Sequence, residues 1–405
     1  MRKKSVILTC ALAAVILLTV HPGPAQTAKD RSLKDTMFTE ARVPLKAEMQ
    51  AYPFSLERVR LLPGPFKDAQ ELDRQYLLSL DEDRLLHCFK LTAGLSSGAK
   101  PYGGWEELEK AHNDELRGHS LGHYLTACAF MVASTGDKTL KAKADKIITE
   151  LAVCQEALDS NGYLSAFPEE HFDRVESMRK VWAPYYVIHK ILAGLLDWYE
   201  YGRNPQALEI AEKMAHWIKT RTDRSSDRHM QLVLEHTEQG GMVEVLANLY
   251  SLTGNPDHLT LARRFEEKRN LTPLSQHKDR LGGMHVNSFI PQIIGTARVY
   301  ELTGDYNLYQ IASYFWRQVI RARTYATGGM SDHERWADEP YVLASEMGTN
   351  NNETCCTYNM LKLTRHLFSW DPAPELAEYY ERALLNGILS TQNPEDGMMM
   401  YHQSM

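Results

Sequence analysis

From residue 68 onward the apolar positions of this chain recur at helical spacing, and the helices they predict come in pairs. Helical stretches at 123–134 and 138–151 flank Thr135-Gly136-Asp137, and those at 185–201 and 205–220 flank Gly202-Arg203-Asn204. The third pair, 242–252 and 256–268, flanks Thr253-Gly254-Asn255, and the fourth, 288–302 and 306–322, flanks Thr303-Gly304-Asp305. The fifth pair, 355–370 and 373–389, is split by Asp371-Pro372. Gly where a helix stops, and Asp, Asn or Pro where the next begins, is the expected punctuation. Within each pair the first helix is the more apolar on all sides, and the second carries charges on one face, as in Leu208-Glu209-Ile210-Ala211-Glu212-Lys213-Met214. The first kind is therefore expected inside and the second outside. Upstream, 68–93 reads as one further helix, 56–61 alternates like a short strand, and 27–55 reads as a mobile leader without strong periodicity.

Repeating inner–outer pairs build either an open solenoid or a closed double ring. Long, irregular linkers before the inner helices favour the ring, with loops gathered on one rim. One helix plus five pairs gives eleven, one short of six pairs; the helix wanting is an inner one after the fifth pair. The tail Met398-Met399-Met400-Tyr401-His402 reads as a strand that continues, so the chain is expected to be incomplete at its C-terminus.

The N-terminus has a different character. Arg2-Lys3-Lys4 precedes an apolar run from Val6 to Val20 and then Pro22-Gly23-Pro24-Ala25. This pattern predicts a secretory signal over 1–25, hence a secreted or periplasmic protein with no membrane attachment once the signal is removed. A net charge of −7 without a basic block argues against nucleic acid as a partner. Of six cysteines, Cys10 lies in the signal; the five that remain are widely spread and form no disulfide framework. Cys88, Cys128 and Cys154 sit in apolar helical surroundings, as buried packing residues do.

Chemistry-bearing side chains cluster just ahead of the inner helices. Arg117-Gly118-His119-Ser120-Leu121-Gly122-His123-Tyr124 leads into the first, and Trp182-Ala183-Pro184-Tyr185-Tyr186 with His189 into the second. Glu235 to Met242 leads into the third, Gly282-Gly283-Met284-His285 into the fourth, and Asn350 to Cys356 into the fifth. A single His at a helix start is more often a cap or core residue, but five such segments at equivalent repeat positions would meet at one mouth. The aromatic residues Tyr102, Trp105, Trp182 and Trp336 are candidates to line it. Glu353 and Cys355 can face one point at a helix start, a pairing that suits a soft divalent metal such as zinc. Within the long loop Thr327 to Trp336, Glu334 is a candidate proton donor.

The segments Arg117 to Tyr124, Trp182 to Asp197, Thr327 to Glu334 and Glu353-Thr354-Cys355 to Arg365 resemble the β-L-arabinofuranosidase family, glycoside hydrolase family 127. The resemblance runs from Leu56 to Met405. It implies an all-α (α/α)6 barrel over 56–405 followed by β-sandwich domains, and retaining hydrolysis of terminal β-L-arabinofuranosides on a carbohydrate substrate. It implies a zinc held by one Glu and three Cys, one of them the nucleophile. Glu353 and Cys355 match two ligands, Glu334 matches the acid/base, and His189 and His285 resemble sugar-contacting histidines. The other two ligands are an adjacent Cys pair at the start of the last inner helix. The context of Cys355-Cys356 is not that of this pair, so the nucleophile is expected outside the chain. Two rival readings stand beside this one. Another helical-ring sugar enzyme (an epimerase, lyase or uronyl hydrolase) would survive a chelator, and a glycan-binding fragment would bind sugar without product.

Overall fold

The structure, a computed structural model, describes residues 38–107 and 116–405. The expected signal and the first part of the leader lie outside the described residues. Five inner helices follow one another around a ring: α3 (His119–Thr135), α6 (Pro184–Gly202), α9 (Met242–Thr253), α12 (Val286–Thr303) and α14 (Thr354–Trp370). Each packs along the next, α3 on α6, α6 on α9, α9 on α12 and α12 on α14. Outside them run α4 (Lys138–Leu158), α7 (Pro205–Thr222), α10 (Pro256–Arg264), α13 (Tyr306–Ala322) and α15 (Pro374–Gly387). Three further helices, α5 (Glu170–Glu176), α8 (Asp227–His236) and α11 (Lys268–Ser275), lie in the linkers. This is the double ring of an (α/α)6 barrel. In α12 almost every side chain is buried, whereas α13 buries one face.

The punctuation read from the sequence works as expected. Gly136, Gly254 and Gly304 end α3, α9 and α12 in the left-handed conformation, at φ 75°, 72° and 72°. The next residues start the outer helices: Asp137 accepts from the N–H groups of Thr139 and Leu140, Asn255 from Asp257 and Asp305 from Asn307. Each such cap contributes about 1 kcal/mol. The α3–α6 contact depends on two glycines: a Cβ on Gly122 would stand 2.2 Å from the Lys190 carbonyl oxygen, and one on Gly194 would stand 2.4 Å from that of Gly122.

Four expectations are corrected. The stretch 56–61 is not a strand; Leu56–Arg58 is a 3-10 turn and the rest is irregular and exposed, because among the described residues no strand pairs with it. The single helix over 68–93 is two, α1 (Pro65–Ser79) and α2 (Glu82–Thr92), broken where Asp81 caps the second by accepting from Asp83 and Arg84 N–H. The third outer helix likewise stops at Phe265 and resumes as α11. The tail forms only an isolated bridge, Gln392 with Met399, and then folds onto the 348–354 segment through Gln403 N–H to Asn351 O and Met405 N–H to Gly348 O.

A fifth correction concerns the leader, read as mobile: its described part is an ordered strap. Thr39 N–H and Oγ1 bond the Glu200 carboxylate at the end of α6. Arg42 and Val43 N–H bond Ser251 O on α9, Lys46 and Ala47 N–H bond Glu301 O on α12, and Gln50 and Ala51 N–H bond Ser369 O on α14. Orphan carbonyls at three successive helix ends, and a side-chain carboxylate at a fourth, thus gain partners from one extended segment. Phe38, Leu45 and Met49 are buried against the core, each contributing about 1.5–3 kcal/mol. Among the described residues no helix is long and apolar enough to cross a membrane.

Candidate active site

The ends of the inner helices away from the strap carry the polar lead-ins. The loop ahead of α14 is laced to the lead-in of α12 by backbone bonds: Val286 N–H to Glu334 O at 2.8 Å, and Trp336 N–H to Met284 O at 3.2 Å. The other side of the loop is tied to α14 by His333 N–H to Asn350 O and Asn352 N–H to Ser331 O. Buried Asn351 braces the turn, donating to Asp332 Oδ1 at 3.0 Å and to Glu346 O at 2.7 Å. His333, Glu334 and Asn352 all sit at positive φ, 44°, 68° and 49°. Non-glycine residues held there cost about 1 kcal/mol or more each and persist only when their surroundings fix them. Here that strain points Glu334 at the start of α14.

Glu334 and Glu353 share one phenol. Tyr401 Oη lies 2.9 Å from Glu334 Oε1 and 2.5 Å from Glu353 Oε1. A phenol has one proton to donate, and its shorter contact is the one to Glu353. Burial, and then the Glu353 carboxylate, push the Tyr401 hydroxyl far above its usual range, so the phenol keeps that proton. On the far side, His285 Nε2 lies 3.3 Å from Glu334 Oε2. Its Nδ1 accepts from the Ser288 N–H at 3.2 Å while capping α12, which leaves the ring proton on Nε2, donated to Glu334.

The ligating atoms of Glu353, Cys355 and Cys356 all lie within 4.8 Å of one another. The Cys356 thiol donates to Glu353 Oε2 at 3.2 Å. The Cys356 S–H beside it lowers the Cys355 thiol, but burial and the Glu353 carboxylate outweigh that and leave it above the ordinary range. Burial raises Cys356 well above its ordinary value, with Cys355 and Glu353 adding to it. Two thiols and one carboxylate oxygen are a donor set that zinc takes. Glu353 itself is 1 % exposed, and among the described residues its carboxylate has neutral donors, Tyr401 and Cys356, but no ion-pair partner. A buried carboxylate without a counter-ion is costly, so the residues present fit a bound cation.

The other predicted site residues line the walls. His189 is buried, and its Nδ1 accepts from the Gly241 N–H at 3.1 Å. A Cβ at Gly241 would stand 2.7 Å from His189 Nε2, so only glycine allows this approach. Burial, then the Lys190 and Lys362 cations, hold the His189 imidazole well below its usual range, hence neutral. His119 donates from Nδ1 to Leu116 O at 2.6 Å, and its ring packs edge-on against Trp105, 5.8 Å away, and His123, 5.9 Å away. His123 is open to solvent in the ring interior. Trp182 is partly exposed, and its carbonyl accepts from Thr237 Oγ1 at 2.7 Å. Tyr102 is turned to the α1–α2 corner: its hydroxyl accepts from Asp81 N–H at 2.6 Å and Arg84 lies over its ring. It shares a groove of about 480 Å³ with Glu106, Ser120 and His123. Trp336 does not line the mouth; it is buried against Phe289 and Phe315. Cys88, Cys128 and Cys154 are free and buried, as expected.

Three participants were not read from the sequence. Tyr401 comes from the tail and gave no signal of its own. Glu106 accepts from Gly118 and Ser120 N–H at 2.7 and 3.1 Å, anchoring the start of α3. Burial would raise its carboxyl, but His119 and these N–H groups outweigh it and keep it below its ordinary value. Lys190 lies over the Tyr186 ring at 4.6 Å, and burial beside Lys362 lowers its ammonium to about 8.

Comparison with known proteins agrees with this picture. The model of the GH127 catalytic domain, described as β-L-arabinofuranosidase, matches residues 58–405. A non-reducing end β-L-arabinofuranosidase of Bifidobacterium longum subsp. longum is 22% identical over 328 residues, which are 70% of this chain and 47% of that protein. Among solved structures, a GH127 β-L-arabinofuranosidase from Geobacillus stearothermophilus T6 aligns at a TM-score of 0.63 and 20% identity, covering 85% of this chain and 58% of that one. A second GH127 β-arabinofuranosidase aligns at 0.68 and 18% identity, covering 87% and 56%. The chain thus spans about half the length of the relatives it matches.

Proposed function

Because the chain belongs to the β-L-arabinofuranosidase GH127 catalytic-domain family, we propose that it is the catalytic part of a secreted glycoside hydrolase that removes terminal β-L-arabinofuranose from glycans with retention of configuration. The observation that carries this reading is Tyr401 joining Glu334 to Glu353 beside Cys355 at the mouth of the ring.

Glu334 is the general acid. Its Oε1 lies 2.9 Å from the Tyr401 hydroxyl at the mouth of the ring, where a carboxyl group can pass a proton to a leaving oxygen. The His285 Nε2–H fixes the second Glu334 oxygen, so one oxygen is aimed and the other held. After the leaving group departs, the Glu334 carboxylate is placed to take a proton from incoming water, as in two-step retaining hydrolysis. His189, neutral and locked against Gly241, presents a fixed Nε2–H on the wall, suited to a sugar hydroxyl. Zinc, held by Glu353 and Cys355, would supply charge that keeps a cysteine thiol deprotonated at neutral pH. The attacking thiolate is assigned to a further cysteine of the whole enzyme.

The test is hydrolysis of an aryl β-L-arabinofuranoside by the whole enzyme, with the first-formed sugar followed by proton NMR. The β-anomer should appear first and mutarotate later. First appearance of the α-anomer would replace the two-step scheme with direct attack by water, and no release of arabinose would leave the glycan-binding reading.

A further inference from the structure

A cavity of about 340 Å³ lies between α11 and the start of α12, and the hydrolase reading makes no use of it. Three cations line it, Arg269, Lys278 and Arg280, and no carboxylate does. The chain as a whole carries a net charge of −7, so this lining runs against its average. The nearby carboxylates are engaged elsewhere. Asp279 takes Arg323 through both oxygens, each at 3.1 Å, and accepts from the Leu281 N–H at 3.0 Å. Arg280 thus stands between two anchored residues, and among the described residues it has no ion-pair partner. The Lys278 N–H is tied to Pro273 O at 2.9 Å, and its ammonium meets only the neutral Gln276. Arg269 faces Glu235 of α8 at 3.6 Å, an exposed pair of little strength. Leu274 and Phe289 supply the apolar side of the cavity. Asn270 lines it as well; it is buried, donates to Gln292 Oε1 at 3.2 Å, and leaves its own Oδ1 without a partner.

The cavity shares a wall with the hairpin that carries Glu334. Met284 lines it and is followed by His285, whose Nε2 lies 3.3 Å from Glu334, and Met284 O accepts from the Trp336 N–H. In a retaining glycosidase the acid and the nucleophile flank the scissile bond, and the leaving group departs past the acid. A glycan with its terminal arabinose at Glu334 therefore runs its next residues toward this cavity.

We propose that the cavity is a leaving-group subsite for an anionic sugar, a uronate residue whose carboxylate pairs with Arg280 and Lys278. An arginine fork takes a carboxylate through two parallel N–H···O bonds, which a neutral sugar does not offer. A ring hydroxyl of the same residue supplies the donor that Asn270 lacks, and its apolar face lies on Leu274 and Phe289. The direction of the glycan rests on the hydrolase reading; the binding of the uronate does not.

Titration calorimetry of the 405-residue chain with digalacturonate, its methyl ester and a sulfated disaccharide reads the site without turnover. Digalacturonate should bind about 10-fold or more tightly than its ester, the worth of one hydrogen bond to a charged group. Arg280→Ala and Lys278→Ala should each weaken it by about the same factor, Arg280→Lys by less, and added salt should weaken it in the wild-type chain. Equal binding of acid and ester, or no loss in Arg280→Ala, would overturn the proposal. A sulfated disaccharide that binds as tightly as the acid would overturn the uronate assignment. In the whole enzyme, Arg280→Ala should leave kcat/KM on an uncharged aryl β-L-arabinofuranoside unchanged. On a β-L-arabinofuranosyl galacturonate it should raise KM about 10-fold with kcat kept, as loss of uniform binding does. Turnover of both substrates without preference for the uronate would overturn the subsite and leave the hydrolase reading intact. Uronate binding that needs Arg280, with turnover of neither substrate, would uphold the anion site and strike the hydrolase reading instead.

Discussion

Among the described residues, the buried carboxylates Glu301 and Glu353, at opposite ends of the ring, are built on opposite terms. At the strap end, Glu301 is surrounded by compensation: Arg298 at 2.9 Å, His366 Nδ1 at 2.7 Å and the Trp370 indole N–H at 3.1 Å. Arg298 itself is held by Asn248 at 2.8 Å, and the strap covers the cluster. At the mouth, Glu353 is as deeply buried but meets only neutral donors, next to Glu334 on a left-handed backbone. One end uses charge to close the fold. The other leaves a buried carboxylate with neutral donors alone beside a strained loop. Buried ion pairs are poor evidence of stability in themselves, but breaking one is expensive, and the two ends should answer to mutation with opposite signs.

The largest effect is expected at the strap end. Glu301→Ala leaves Arg298 and His366 buried without a counter-ion and should cost about 3–5 kcal/mol in urea unfolding. A cost within 1 kcal/mol would mean that water enters there, and the contrast between the ends would fail. Next comes the strap: Leu45→Ala, at a fully packed site, should lose about 2–4 kcal/mol. A surface-like loss of a few tenths would mark the strap as loosely attached.

Acid should act on the same end. Burial would raise the Glu301 carboxyl, but His366 and Arg298 outweigh it and hold it at about 2 against an ordinary 4.5. A depressed carboxyl stabilises the fold above its unfolded value and loses that contribution as pH falls through its folded one. Stability should therefore decline between pH 4.5 and about 2, and Glu301→Gln should flatten that part of the profile. An unchanged slope in the variant would assign the acid limb to other carboxylates. The smallest effect, and the sharpest contrast, is at the mouth. Glu353→Gln in the zinc-free chain should leave stability unchanged or raise it by up to about 1 kcal/mol, because it removes an uncompensated buried charge. A loss of 3 kcal/mol or more would show a counter-ion that the geometry does not, and would merge the two ends into one kind.

Much of this architecture was readable because helix ends are written locally. Gly254-Asn255 and Gly304-Asp305 carry their own left-handed stop and side-chain cap, and the outer helix read at 306–322 is found at Tyr306–Ala322. Glu334, His285, Glu353 and Cys355 were legible as candidates because the repeat brings equivalent segments to one rim. What failed lacked a local signature. Val59 and Leu61 alternate with Arg58 and Arg60, but a strand needs a partner, and there is none for them among the described residues. The apolar run Leu77, Leu78, Leu80 and Leu85 carries a helical rhythm across the cap at Asp81 and hides the break. The strap follows the spacing of four helix ends, and no backbone period encodes that. Tyr401 meets Glu353 and Glu334 from 48 and 67 residues away, and Cys356 gains meaning only from the direction its thiol takes.

The central claim is that Glu334 is the proton donor of a retaining glycosidase. It is tested most directly by Glu334→Gln in the whole enzyme, assayed on arabinosides with poor and good leaving groups, with and without azide. Turnover of a poor leaving group, an alkyl alcohol, should fall about 10²–10⁴-fold, the contribution of a positioned acid. A nitrophenyl group should be lost far less, and azide should restore turnover to yield the β-arabinosyl azide. Equal losses for both leaving groups, or an α-azide, would contradict the account.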